Sequence, residues 1–139
     1  MQINFFSEET DFKLRDEKLI SQWISSTIVQ ENKIPGTISV IFCTDSFLKE
    51  INIKYLNHDT LTDIITFDYV EDNTISGDIF ISIDRVQENA SSINVSFSDE
   101  LDRVIIHGIL HLLKYNDKTP DEQQLIRAKE DFYLALRTR

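Results

Sequence analysis

Apolar and polar positions alternate in two registers along this chain, and the switches between them outline the fold. Ile3 and Phe5 alternate with polar neighbours, as in a short strand. Leu14, Leu19, Ile20, Trp23, Ile24 and Ile28 then recur at the three- and four-residue spacing of a helix with one buried stripe. Pro35-Gly36 predicts a turn. The β-branched, apolar run from Thr37 to Thr44 predicts a strand buried on both faces. Phe47, Leu48, Ile51, Tyr55 and Leu56 return to helical spacing, with Asp45 or Ser46 as the expected cap.

The pattern changes again at 63–69 and 75–83, two strand-like segments around the polar turn Glu71-Asp72-Asn73, which together predict a hairpin. Asp84 is the expected cap of a short helix to about Ser92, and Ser96 or Ser98 that of the next. Thr119, Pro120 and Glu122 spell a capping box for a final helix, whose apolar face is expected to be Leu125, Ala128, Phe132, Ala135 and Leu136. The order β-α-β-α-β-β-α-α-α predicts a single α+β domain over 1–139. Its expected form is one mixed sheet of about four strands packed with about five helices.

Composition narrows the setting. No segment reaches the roughly 18 to 20 apolar residues of a membrane span, and the N-terminal stretch lacks the basic-then-apolar order of a signal peptide. The single cysteine, Cys43, sits in an apolar run, so a small core residue is expected and no disulfide partner. A cytoplasmic location is the expectation. The formal net charge of −10 points away from nucleic acid as a bulk partner, so a polyanionic substrate would need a local basic patch or a metal ion.

The chemistry concentrates in HGILHLLKYND, residues 107–117. Val104, Ile105, Ile106, Ile109, Leu110, Leu112 and Leu113 cover most of this helix, and His107 and His111 share the remaining line with Glu100 and Lys114. Imidazoles at i and i+4 face the same way and suit one metal ion. The helix is expected to end near 114–116, letting Asp117 swing back as a third ligand and leaving a fourth position open for water. This nitrogen and oxygen donor set favours zinc, with nickel, cobalt and manganese as alternatives. Asp63 and Glu100 are the candidate general bases. His58, Lys114 and Lys118 are candidate substrate contacts, with Arg85, Arg127 and Lys129 completing a local basic patch.

The spacing is also that of the metzincin proteases, but Gly108 stands where those carry their general-base glutamate. A closer resemblance is to the bacterial rRNA-maturation endoribonuclease family called YbeY, whose signature runs approximately H-G-x-L-H-L-x-G-Y-D-H. His107, Gly108, Leu110, His111, Leu112 and Tyr115 match it, Thr62 to Phe67 resembles its T-D-V-L-S-F strand, and Gly77-Asp78-Ile79 resembles its G-D-I strand. Lys114 replaces a glycine of the signature, Asn116 an aspartate and Asp117 the third histidine. Leu56 stands where the family often carries an arginine. The resemblance implies a metal-dependent endoribonuclease specific for single strands, acting in rRNA maturation and ribosome quality control, with rRNA and ribosomal components as partners. A zinc-stabilised, non-catalytic ribosome-associated protein and a metzincin-like hydrolase of another substrate are the competing readings.

Overall fold

The computed structural model describes residues 2–58 and 62–137. Its elements follow the expected order: β1 (Gln2–Ser7), α1 (Glu17–Gln30), β2 (Ile34–Cys43), α2 (Asp45–Leu56), β3 (Ile64–Asp68), β4 (Thr74–Ser82), α3 (Ile83–Ser92), α4 (Phe97–Leu112) and α5 (Pro120–Ala135). The four strands form one mixed sheet in the order β1-β2-β4-β3. β2 runs parallel to β1 and β4, whereas β3 pairs antiparallel with β4 as the hairpin predicted.

Alternation divides the sheet into two faces. Ile38, Val40 and Phe42 of β2 and Ile75, Ile79 and Ile81 of β4 join α1 and α4 in the main core. Cys43, Leu48 and Ile65 form a smaller cluster with Phe47, Ile51, Phe67 and Phe80, and α2 contributes its apolar face there. Cys43 is fully buried, and burial pushes its thiol up to about 12, so it is the inert core residue expected.

α4 is buried nearly all round, as its composition requires, and two glycines let it approach the sheet. A Cβ on Gly108 would lie 2.8 Å from Ile64 Cδ1 and 3.0 Å from Ile79 Cγ2; one on Gly77 would meet Leu112 Cδ2 of α4 at 2.9 Å and the Phe67 carbonyl oxygen of β3 at 2.5 Å. Side chains at either place would lift the helix off β3 and β4.

Several local expectations are corrected. Pro35-Gly36 makes no turn: both lie inside β2, where the register against β4 shifts between Pro35 and Ile38. Pairing with β4 captures these residues as an irregular strand start, and the chain reverses earlier, at Asn32 with φ 64°. Thr44, one residue before the expected caps, accepts the Phe47 N–H of α2. Ser82 caps α3 in place of Asp84, and Asp84 instead accepts the Asp45 N–H at the start of α2. Ser96 caps α4, and the box at Thr119 and Glu122 forms as spelled. The predicted apolar face of α5 is turned outward, with Leu125, Phe132 and Leu136 half exposed and Ala128 and Ala135 exposed. Ile126, Glu130 and Tyr133 are the buried positions.

Candidate metal centre

His107 and His111 emerge on the one line of α4 that neighbouring elements leave uncovered. The helix stops at Leu113, and Lys114 takes up the left-handed conformation with φ 76°. Lys114 N–H then bonds the His111 carbonyl at 2.9 Å and Tyr115 N–H the Leu110 carbonyl at 3.0 Å, the paired bonds of a left-handed helix terminus. This reversal carries Asp117 back over the imidazoles, as its position predicted. Asp117 Oδ2 lies 3.4 Å from His107 Nε2 and 3.3 Å from His111 Nε2, and the two Nε2 atoms are 2.9 Å apart.

The outer nitrogen of each imidazole has an acceptor. His107 Nδ1 donates to Glu130 Oε2 at 2.7 Å, and His111 Nδ1 donates to the Tyr115 carbonyl at 3.0 Å. A carboxylate and a carbonyl only accept, so both rings carry their proton on Nδ1 and, when neutral, a lone pair on Nε2. With both rings neutral, two lone pairs and a carboxylate oxygen converge with no donor among them, an arrangement that a bound cation satisfies. Donors around a tetrahedral zinc ion with bonds of ~2.0–2.2 Å lie about 3.3 Å apart, close to the separations found here. The residues fit a metal ion.

Glu130, on α5, is buried, and Arg103 Nη1 donates to its Oε1 at 2.9 Å while Arg103 Nη2 reaches Asp131 at 2.8 Å. Burial opposes ionisation of Glu130, but His107 and Arg103 hold its carboxyl below the ordinary range. Burial likewise opposes charging of His107, and there the bond and charge of Glu130, with Asp117 and Asp63, raise its pKa. Such a carboxylate–histidine pair fixes both ring orientation and tautomer.

Two cavities flank the triad, and Asp63, His107 and Asp117 line both. One of about 370 Å³ also takes in Glu100, Arg103, Arg127 and Glu130. The other, of about 440 Å³, takes in His111, Leu56, His58 and β3 residues 64–66. Both base candidates thus lie in the cleft, and burial pushes the carboxyls of Asp63 and Glu100 above their ordinary values. His58 lines the cleft, as does Leu56.

The expected basic patch is largely engaged with acids. Lys114 pairs with Asp68, Lys129 with Glu31 at 3.2 Å and Arg85 with Asp45 at 3.3 Å. Lys118 lines neither of these cavities. Arg127, 62% exposed and 3.8 Å from Glu130, is an exposed cation on the cleft rim, which Arg103 also lines.

Sequence reasoning missed Glu130. Its signal was the spacing Ile126, Glu130, Tyr133, a buried stripe interrupted by a carboxylate that must find partners.

The sequence profile described as endoribonuclease YbeY matches residues 2–137. The endoribonuclease YbeY of Flavobacterium johnsoniae is 53% identical over 131 residues, covering 94% of each chain. That of Christiangramia forsetii is 55% identical over 135 residues, covering 97% of this chain and 94% of its own. A solution structure of a Thermotoga maritima protein superposes with a TM-score of 0.68 at 27% identity, over 96% of this chain and 87% of that one. With a profile match over nearly its whole length and relatives sharing more than half its residues, this chain belongs to the endoribonuclease YbeY family.

Proposed function

We propose that this chain is a metal-dependent endoribonuclease that cuts single-stranded RNA in rRNA maturation and ribosome quality control, working as one domain over 1–139. The observation that carries the reading is the convergence of two imidazole Nε2 atoms, each with its Nδ1 spent on another acceptor, and the Asp117 carboxylate. Membership of the family supplies the reaction class.

His107, His111 and Asp117 are the proposed ligands, and zinc the proposed ion, from two imidazoles and one carboxylate with an open fourth position. When bound, the ion supplies Lewis acidity toward a phosphoryl oxygen and lowers the pKa of water. Asp63 lines both cavities, and burial raises its pKa above the ordinary carboxylate value, the direction that favours a carboxyl taking up and returning a proton. Glu100 lines only one of the two cavities that flank the triad and is the weaker candidate for that role. Phosphates are assigned to His58 and Arg127 on the cleft rim. Lys118 is a more distant contact, and Lys114 serves only by exchanging Asp68 for substrate. Ribosomal RNA and ribosomal components are the proposed partners and the cytoplasm the proposed location. Among the described residues no helix is long and apolar enough to cross a membrane.

A protease reading lacks its base. A glutamate at Gly108 would have to displace Ile64 and Ile79, whose methyl groups lie 2.8 and 3.0 Å from where its Cβ would stand.

Elemental analysis followed by RNA cleavage tests the proposal. About one zinc ion per chain is expected, as is cleavage of single-stranded but not double-stranded RNA that stops with chelator and in His107→Ala. Bound zinc without cleavage would leave a metal-stabilised binding protein. No zinc uptake would remove the site itself.

A further inference from the structure

His111 is oriented by a backbone carbonyl, and a carbonyl holds a ligand only as firmly as its own peptide is held. That of Tyr115 follows directly on Lys114, a non-glycine residue at φ 76°. An L-residue in this conformation resists it, so local preference does not keep the turn in place. The helix-end bonds and the Lys114–Asp68 pair hold it in part, and a group further away adds to them.

We propose that Glu31, at the end of α1 and 84 residues before Tyr115, is a positioning residue for His111, acting through Tyr115. The Tyr115 hydroxyl donates to Glu31 Oε1 at 2.5 Å, while the Tyr133 hydroxyl and Lys129 Nζ both donate to Oε2. Lys129 Nζ also sits 5.6 Å above the Tyr115 ring. Glu31 is itself anchored, its N–H bonding the carbonyls of Thr27 and Ile28 at the end of α1. Its side chain is only 12% exposed. Both oxygens of one buried carboxylate are thus spent on α5 and on the loop that bears the His111 acceptor. The chain of bonds runs Glu31, Tyr115 ring, Tyr115 carbonyl, His111 Nδ1, and its far end is the Nε2 that faces Asp117. A charge-assisted bond at the tyrosine end fixes the peptide at the histidine end.

The inference rests on the metal-centre reading, and its test separates the two. Zinc alone is titrated into the purified full-length chain against a competing chelator, for wild type, Glu31→Gln, Tyr115→Phe and Tyr133→Phe. Side-chain ¹⁵N shifts of the histidines are recorded on the same proteins without metal. Tyr115→Phe keeps the carbonyl and removes only the hydroxyl, so it carries the test even where Glu31→Gln folds poorly. Tyr133→Phe loosens the same carboxylate without touching Tyr115. The expected result is zinc binding weakened about 10-fold in Glu31→Gln and Tyr115→Phe, with the Nδ1-protonated form of His111 reduced and that of His107 retained. Tyr133→Phe is expected to melt at a lower temperature with wild-type affinity and tautomers. Wild-type affinity and tautomers in Glu31→Gln and Tyr115→Phe overturn the proposal. So does a loss shared by Tyr133→Phe in proportion to stability, which would make the carboxylate a general brace. A wild-type chain that takes up no zinc sinks the metal reading instead, and the tautomers of the metal-free proteins still decide what Glu31 does to His111.

Discussion

His107 and His111 stand one turn apart on the same helix and present the same nitrogen, yet their supports have little in common. Behind His107 is a side chain, Glu130, planted on α5 and gripped by Arg103. Behind His111 is a main-chain carbonyl whose place depends on a left-handed lysine and a network rooted in α1. The first support is one buried carboxylate that accepts from two donors, His107 and Arg103. The second is spread over several modest contacts, none of which touches the ligand except the last. A concentrated support fails at a single substitution; a distributed one weakens by degrees.

The largest difference should come from Glu130→Ala. It strips the partner from His107 and one of two from Arg103 in a buried setting, at a cost of about 3 kcal/mol by urea denaturation. Glu130→Gln should keep more of that stability while zinc binding weakens ~10- to 100-fold, because an amide orients the ring less firmly than a carboxylate. Equal losses from Glu130→Gln and Tyr115→Phe would erase the contrast between the supports.

Gly108→Ala is the symmetric control. Its methyl meets the side chains of Ile64 and Ile79, which must give way or push α4 outward with both ligands on it; a loss of about 1–3 kcal/mol is expected in thermal melts. Zinc affinity should then fall without either tautomer being favoured.

Acid titration sharpens the comparison on the Glu31 side. Burial raises the Glu31 pKa, but the bonds from Tyr115, Tyr133 and Lys129 outweigh it and leave the folded value below the ordinary 4.5. Its contribution is therefore complete above about pH 4.5 and drains away as pH falls through the lower folded value. Glu31→Gln should flatten that acid limb of a stability-against-pH curve. An unchanged limb would mean that the network does not hold the carboxylate ionised.

The smallest effect is expected from Lys114→Gly. Relief of the left-handed backbone is offset by greater freedom in the unfolded chain and by loss of an exposed pair with Asp68. A gain of up to about 1 kcal/mol in chemical denaturation is expected. A clear loss would mean that the Asp68 pair, not the Glu31 network, holds the turn.

What could be read in advance follows the range of each interaction. The Thr119 box was legible because its donors and acceptors lie within four residues, and the histidine pair because helical spacing alone aligns it. Asp117 was legible once the helix end was placed. The face of α5 was not. Leu125, Phe132 and Leu136 read as a core stripe, but turning them inward would have left His107 and Arg103 without Glu130, and Glu31 without Tyr133. Unpaired buried polar groups cost more than exposing a few apolar side chains, so the helix turned its polar partners inward. Pro35-Gly36 was misread for a similar reason: pairing with β4, a segment far along the chain, overrode a local turn signal.

By itself, then, the amino-acid order determined the succession of elements, the burial of α4 and the direction in which its two histidines point, because each depends on neighbours within a turn or a strand. Only the tertiary structure decided which carboxylate stands behind His107, which carboxylate braces the Tyr115 loop behind His111 and which face of α5 is buried. Those depend on partners 23 and 84 residues away, brought together by packing on a shared sheet, and no local pattern encodes where a buried proton donor will find its acceptor.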